Sequence, residues 1–305
     1  MNAIIFPGQG SQCVGMGKSL FDSFPEAKGI FLRINNILGC DLADKCFSCP
    51  EDCLKDTSIQ QLAVLACSLA AFSVFKTHTI VTSYCAGLSL GEYSCLYAAG
   101  AVSLEDVVYL VKERALAMQK AALLSPSTMM AVMGLTRKEL QEQAKAHGFY
   151  IANINSPSQT VISLKADKKD SIRSTLEARG AKVVDLAVSG GFHSPFMEAA
   201  KEHLSRVLDK INFKDAQIPI VSNVTACAHT DKNEIKDNLL RQLVSSVLWN
   251  DSVEYMASKG VNVFFELGPS RVLKGLMRKI NPVLKVVNIE KKEDLNALLD
   301  QDISI

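Results

Sequence analysis

The segment Gly87-Leu-Ser-Leu-Gly91 places Ser89 between two glycines, at the spacing of a nucleophile elbow. Residues 79–85 before it are β-branched and aromatic, and residues 92–99 after it have helical character. A strained turn between a strand and a helix exposes the serine hydroxyl beside the positive end of the helix dipole. The pattern predicts that Ser89 is a nucleophile, with a structural Gly-rich turn as the alternative.

A serine nucleophile requires a base, and His193 is the histidine best placed to supply it. It lies in a Gly-rich junction, residues 189–195, that leads into a helix predicted to begin at Pro195 with Ser194 as its cap. It also follows the serine in chain order, as in hydrolases built on such an elbow. The alternative is a loop histidine that only packs. The other histidines lie in helical, loop or charged surroundings: His78, His147, His203 and His229.

Strand, tight turn and helix in succession predict an α/β core with a parallel sheet that positions these side chains. The order of predicted elements changes to β-α-β-β-α-β in the middle of the chain, which is typical of a ferredoxin-like unit. We therefore expect a catalytic core formed by residues 1–125 and 191–305. A small ferredoxin-like subdomain, residues 126–190, is inserted into it.

The composition limits the class of protein. Of the 305 residues, 48% are hydrophobic and 21% are charged, which permits a buried core and excludes wholesale disorder. The formal net charge of +1 provides no overall field that would attract nucleic acid. Residues 1–6 lack the features of a signal peptide, and no apolar run reaches the ~18 residues of a membrane span. We expect a cytoplasmic protein with neither a nucleic-acid nor a membrane partner.

The nine cysteines are odd in number and irregularly spaced, so most are expected to be free thiols. Four of them cluster in the sequence: Cys40, Cys46, Cys49 and Cys53. Zinc sites usually combine two separated ligand pairs held by defined turns, and this cluster does not have that pattern. We therefore predict no bound metal and no bound cofactor.

Several motifs together make the chain resemble the malonyl-CoA:acyl carrier protein transacylase family. They are Phe6-Pro-Gly-Gln-Gly-Ser-Gln12, Gly87-Leu-Ser-Leu-Gly-Glu92, Arg114 with Met118-Gln119, Asn153-x-Asn155-Ser-Pro157, Phe192-His-Ser-Pro195 and Glu266-Leu-Gly-Pro269. The resemblance implies an α/β-hydrolase-like core with a parallel sheet plus the ferredoxin-like subdomain. It also implies transfer of malonyl from malonyl-CoA to the phosphopantetheine thiol of an acyl carrier protein, for fatty acid or polyketide biosynthesis.

The resemblance assigns roles to the catalytic residues. Ser89 would attack the malonyl thioester, and His193 would take its proton and later return it to the departing thiol. The backbone amides of Gln9 and Leu90 would form the oxyanion hole. The backbone carbonyl of Gln242 would orient the histidine in place of the more usual carboxylate.

The resemblance also assigns the substrate-binding residues. Arg114 would hold the free malonyl carboxylate in a bidentate pair, while Met118 and Phe192 would contact the substrate. The alternative for Arg114, which its charged neighbours favour, is a solvated helix residue. Leu88 departs from the family pattern, which usually has histidine there, and this leaves the acyl preference and the pathway open.

Two other functions compete with malonyl transfer. An acyl hydrolase on the same scaffold would release stalled acyl groups, and a non-catalytic module would only dock the carrier protein. Arg114 argues against the hydrolase, because a carboxylate clamp gains nothing on ordinary acyl chains. A basic stripe is a candidate contact for an acidic carrier protein, with a solvated helix face as the alternative: Arg271, Lys274, Arg278 and Lys279.

Overall fold

The computed structural model describes residues 1–49 and 56–299, an α/β fold with two sheets. The strands are β1 (Asn2–Phe6), β2 (Tyr84–Gly87), β3 (Ser127–Met133), β4 (Tyr150–Ser156), β5 (Gln159–Lys165), β6 (Lys182–Asp185), β7 (Ile220–Val221), β8 (Ala228–His229), β9 (Val263–Leu267) and β10 (Lys285–Ile289). The helices are α1 (Lys18–Ser23), α2 (Pro25–Leu38), α3 (Leu42–Phe47), α4 (Thr57–Phe75), α5 (Leu90–Ala98), α6 (Leu104–Leu124), α7 (Arg137–His147), α8 (Lys169–Glu177), α9 (Glu198–Leu208), α10 (Lys232–Gln242), α11 (Trp249–Ser258), α12 (Val272–Ile280) and α13 (Lys292–Leu299).

The larger sheet has the strand order β10-β9-β1-β2-β7-β8. The pairs from β10 to β7 are parallel, as the sequence predicts, but β8 runs antiparallel to β7. The sheet is therefore mixed: it is parallel as expected from β10 to β7, and β8 adds one antiparallel strand at its edge. The reason is a short turn in which the Ala226 N–H donates to the Ser222 carbonyl, so that the chain returns directly beside β7.

Strand β1 explains how the larger sheet is buried on both faces. Ile4 and Phe6 belong to the core on one face, whereas Ala3 and Ile5 belong to the core on the other face. Alternate side chains of a strand point to opposite faces, so a continuous apolar run requires cover on both sides. That cover holds β1 and β2 in the centre of the molecule, and the loops that follow both strands carry the site.

The strand expected over residues 79–85 begins later than predicted. Strand β2 starts at Tyr84, because its partner β1 begins at Asn2 and the first paired residues are Ala3 and Tyr84. Val81 is 79% exposed, despite its β-branched side chain. Strand propensity without a neighbouring strand does not produce a ladder.

The smaller sheet is antiparallel and has the order β4-β5-β3-β6. With α7 and α8 it follows the element order β-α-β-β-α-β from Ser127 to Asp185. Its own apolar cluster lies against these two helices. The N–H of Ile154 donates to the carbonyl of Val247, which ties β4 to the segment before α11. The helix predicted from Pro195 begins as a single 3₁₀ turn and continues as α9.

Helix α4 corrects the expectation that no apolar segment is as long as a membrane span. Among the described helices it alone is long and apolar enough to cross a membrane by length and composition. Of its most apolar window, 89% is buried inside the protein, where its small and aliphatic side chains join the main core. A helix that is apolar on every side is also what the centre of a globular core requires.

Candidate active site

Ser89 lies in the sharp turn between β2 and α5, as the sequence predicts. Its backbone angles are φ 52° and ψ −101°, a conformation that costs about 1–3 kcal/mol for a residue with a side chain. The loop after β1 packs closely against this turn. A Cβ atom on Gly91 would overlap the carbonyl oxygen of Phe6, and one on Gly8 would overlap that of Leu88. Glycine at both positions therefore allows the two loops to meet.

Ser89 and His193 are brought together across 104 residues of sequence. The Oγ atom of Ser89 lies 2.7 Å from Nε2 of His193, and Nδ1 of His193 lies 2.8 Å from the backbone carbonyl oxygen of Gln242. A carbonyl oxygen can only accept, so Nδ1 carries the proton and Nε2 is left free to accept the serine proton. The geometry is therefore the one expected of a nucleophile, a base and a group that orients the base.

Gln242 can play this part because it is the last residue of α10. The final carbonyls of a helix have no partner within the helix, and they lie at the negative end of its dipole. The Gln242 carbonyl is thus free to accept from His193 and to stabilise an imidazolium that forms during proton transfer.

Burial and the nearby charge of Arg114 lower the pKa of His193 to about 4. A base must be neutral, so we expect kcat/KM to stay flat as the pH falls from 7 to about 5 and to be lost only near pH 4. Arg114→Ala should move this acid limb upwards, because it removes a positive charge. The measurement is the pH profile of kcat/KM on both proteins. An acid limb centred at the ordinary histidine value of about 6.5 in the wild type would contradict the assignment.

Arg114 is buried, with an exposed fraction of 1%, so its reading as a solvated helix residue is wrong. The residue lies on the inner face of α6, and its guanidinium stacks over the ring of Tyr93 at 4.8 Å. Its acceptors are neutral oxygens: Oε1 of Gln61 at 2.6 Å, Oγ of Ser89 at 3.0 Å and Oε1 of Gln242 at 3.2 Å. Desolvation lowers the pKa of the guanidinium, and an incoming carboxylate would relieve that cost.

A buried polar group that sequence reasoning missed lies behind the elbow. Glu92, on the first turn of α5, accepts from the backbone N–H of Asn223 at 3.1 Å and from Nε2 of Gln242 at 2.7 Å. Burial raises the pKa of Glu92 to about 7. The position of Glu92 directly after the elbow motif could have indicated its role. Asn223 lies in no recognisable motif, and only the pairing of β7 with β2 places it beside the elbow.

The cavity above Ser89 and His193 has a volume of about 430 Å³ and lies between the two sheets. Gln9, Met118 and Phe192 line it, together with Leu88, the departure from the family pattern. Apolar side chains of the smaller sheet and of α12 complete the wall: Met129, Ala131, Val161 and Leu276. Of the predicted substrate-binding side chains, Met118 and Phe192 line this cavity; Arg114 does not, but it donates to Oγ of Ser89, which does.

The two proposed oxyanion donors belong to different elements: the loop after β1 and the start of α5. Gln9 belongs to the loop after β1, where its Nε2 donates to Oε1 of Gln60. Leu90 is the first residue of α5, so its N–H has no acceptor within the helix. The role of both backbone amides as oxyanion donors stays a prediction.

The cysteine cluster gives no metal centre within residues 1–49 and 56–299. No group of three or more His, Cys, Asp or Glu side chains there could hold a metal ion, and Cys53 lies outside these ranges. The cysteines with free thiols are Cys13, Cys40, Cys46, Cys67, Cys85, Cys95 and Cys227, whereas Cys49 is disulfide-bonded. We expect elemental analysis of the purified protein to find no stoichiometric metal. About one zinc per chain, lost together with stability on chelation, would contradict this prediction.

Comparisons with known proteins show the family to which the chain belongs. The family model described as the acyl transferase domain matches residues 3–293. The chain is similar to the malonyl CoA-acyl carrier protein transacylase of Bacillus subtilis (strain 168), with 38% identity over 97% of this chain and 96% of that protein. It is also similar to the acyl-carrier-protein-S-malonyltransferase of Bartonella henselae, with 34% identity, a TM-score of 0.94 and coverage of 98% of both chains. A third similar structure is a malonyl-transacylase in complex with its type II PKS acyl-carrier protein, with 33% identity, a TM-score of 0.94 and coverage of 99% of both chains.

Proposed function

Because the chain belongs to the acyl transferase domain family, we propose that it moves a malonyl group from malonyl-CoA to the phosphopantetheine thiol of an acyl carrier protein. It is an acyltransferase, and Ser89 is its proposed nucleophile. The observation that carries the proposal is that Ser89 Oγ lies within hydrogen-bond distance of both His193 Nε2 and Arg114 Nη2 at the cavity floor. His193 takes the serine proton, and Arg114 recognises the carboxylate of the malonyl group.

In the first half-reaction, the Ser89 Oγ–H gives its proton to Nε2 of His193 while Oγ attacks the thioester carbon. The oxyanion that forms accepts hydrogen bonds from the backbone amides of Gln9 and Leu90. The carbon–sulfur bond then breaks, and the imidazolium returns the proton to the CoA thiolate. Malonyl remains as an ester on Ser89.

In the second half-reaction, the thiol of the carrier protein replaces CoA in the same cavity. His193 takes the thiol proton while the sulfur attacks the ester, and Ser89 leaves with that proton. CoA and the carrier protein each carry a thiol at the end of the same kind of phosphopantetheine arm. Both thiols can therefore enter one cavity in turn and react with one base. Splitting the transfer into two steps avoids bringing both large substrates together at once.

The malonyl carboxylate also prepares the base. Burial first and the Arg114 charge second hold the pKa of His193 low. When the carboxylate pairs with Arg114, it compensates the second of these causes, so the imidazolium becomes easier to form. A simple acyl group leaves that charge in place. This coupling favours dicarboxylic acyl groups and transfer, and it disfavours an ordinary acyl hydrolase.

The basic stripe on α12 is the proposed contact for the acidic carrier protein. The same helix lines the cavity through Val272 and Leu276, so a carrier bound there would reach the site with its prosthetic arm. Arg278 and Lys279 are exposed, whereas Arg271 already pairs with Asp294 at 3.3 Å. Arg278 and Lys279 therefore carry most of the positive charge on the stripe that is free to bind a partner.

The proposal is tested by intact-mass analysis with a panel of acyl-CoAs, followed by addition of phosphopantetheinylated carrier protein. We expect one malonyl mass on the enzyme and its disappearance as the carrier gains the same mass. Loss of the malonyl mass to water before carrier is added would instead support the hydrolase.

The finer assignments are proposals too. We propose an α/β-hydrolase-like core of residues 1–125 and 191–305 with a ferredoxin-like subdomain, residues 126–190. The β-α-β-β-α-β order of the smaller sheet supports the second part. Service in fatty acid or polyketide biosynthesis, a cytoplasmic location and the absence of a bound cofactor stay predictions.

A further inference from the structure

The backbone of Ser89 needs a restraint that the elbow alone does not supply. Ser89 is one of few residues other than glycine with a positive φ among those described, and such a conformation persists only where its surroundings hold it. The glycines on either side permit the turn but do not fix it. A group that contacts the peptide units around Ser89 must do so.

The side chain of Asn223 contacts both ends of the turn. Its Oδ1 accepts from the backbone N–H of Ser89 at 2.7 Å, and its Nδ2 donates to the backbone carbonyl of Gly87 at 2.7 Å. A backbone N–H can only donate and a carbonyl can only accept, so the orientation of the amide is unambiguous. The side chain is fully buried and holds Gly87 and Ser89 at fixed positions relative to each other.

Asn223 is itself held on both sides. Its backbone N–H donates to Oε2 of Glu92, and its carbonyl accepts from the N–H of Leu248 at 2.8 Å. It lies two residues after the end of β7, and β7 pairs in parallel with β2 up to Ala86. Parallel strands end at the same edge of a sheet, so Asn223 lies beside the elbow because of that pairing.

The bond from Ser89 N–H has a chemical consequence. Because that amide is occupied by Asn223, it is not free for an oxyanion, which leaves the Leu90 amide as the donor at the elbow. Asn223 is not among the residues that line the cavity in the described part of the chain. It therefore makes no direct contact with a substrate in the cavity and acts through the groups it bonds, of which Ser89 is held most closely; the longer contact, 3.5 Å from Nε2 of Gln242 to its Oδ1, is the other route to the site.

We infer that Asn223 is a positioning residue that holds Ser89 Oγ in line with His193 by bridging Gly87 and Ser89. The inference rests on the proposed nucleophilic role of Ser89. Removal of the bridge lets the turn relax, and a displacement of about 1 Å at a nucleophile can cost on the order of 10²-fold in rate. The loss should fall on kcat and leave KM within about threefold, because no substrate contact changes.

The first test compares Asn223→Ser with Asn238→Ser, since Asn238 is also a buried asparagine but lies on α10, where its Oδ1 accepts from Arg241. We expect kcat to fall about 10²-fold in Asn223→Ser and to stay within about threefold of wild type in the control. A kcat within about threefold in Asn223→Ser, or equal losses in both variants, would overturn the inference.

The second test uses Asn223→Asp, which keeps the shape of the side chain. The introduced carboxyl would share Nε2 of Gln242 with the Glu92 carboxylate, and it is linked to Arg114 through Gln242 and to His193 through Ser89. When ionised, it still accepts from Ser89 N–H but repels the Gly87 carbonyl; when protonated, it can make both hydrogen bonds. The ratio of its kcat to that of wild type should therefore rise as the pH falls from 8 to 6, whereas the Asn223→Ser ratio should stay flat.

A flat ratio for Asn223→Asp would overturn the inference even if Asn223→Ser does not fold. Failure of both Asn223 variants to fold, while Asn238→Ser folds, would overturn it as well, because the side chain would then serve the fold rather than the nucleophile. Failure of the proposed function is a separate result. It would appear as a wild-type protein that gains no malonyl mass.

Discussion

Ser89→Ala incubated with malonyl-CoA should gain no mass, whereas the wild type gains one malonyl group per chain. Without Oγ there is no atom to carry the acyl group between the two thiols, and the remaining groups can only bind the substrate. We expect transfer to the carrier protein to fall by at least about 10⁴-fold. The measurements are intact mass after incubation and the rate of carrier malonylation.

Ser94→Ala is the matched control, because Ser94 is a buried serine on the same helix. It should load malonyl at the wild-type rate. A stable malonyl adduct on Ser89→Ala would show that another group is the nucleophile, and the assignment of the elbow would then be wrong.

Arg114→Ala should change which acyl groups the enzyme accepts. A malonyl carboxylate that leaves water without a partner is costly, so truncation should remove about 2–5 kcal/mol of transition-state binding for malonyl-CoA. That corresponds to a loss of about 30-fold to several thousand-fold in kcat/KM. Acetyl-CoA has no carboxylate, so its slow reaction should fall little or even rise once the buried cation is gone.

The ratio of malonyl to acetyl loading is the decisive quantity, since both reactions are measured on the same folded protein. Truncation also removes the hydrogen bonds from the guanidinium to Gln61 and Gln242, but this loss affects both reactions and cancels in the ratio. Arg114→Lys should restore the ratio only in part, because an ammonium group cannot form two parallel hydrogen bonds. Arg241→Ala, at an exposed cation on α10, should leave it unchanged. An unchanged ratio in Arg114→Ala would mean that Arg114 is not the clamp, and the hydrolase would become the better explanation.

The geometry at Ser89 could be predicted from the sequence because it depends on neighbours in the chain. A strand, two glycines and a helix start within a dozen residues, and these determine the turn, the exposed hydroxyl and the helix dipole. The Gly-rich junction likewise indicated His193. The elbow and the base are therefore features that local sequence defines.

Arg114 shows where local sequence fails. Its charged neighbours on α6 favoured a solvated residue, and only the resemblance to a family suggested a clamp. Its 1% exposure depends on the packing of α6 against α4 and α5, which supply Gln61 and Tyr93. Burial of a charge is a property of the surrounding elements, and residue type alone does not reveal it.

The partners that orient the site belong to the tertiary structure. The group that orients His193 is a backbone carbonyl, and every residue has one. Gln242 is selected only because the end of α10 lies against the Gly-rich junction that carries His193. Asn223 bonds to Ser89 across 134 residues because β7 pairs with β2. The sequence alone determined which side chains can react. Strand pairing and helix ends, which join residues far apart in the chain, decided how those side chains are held.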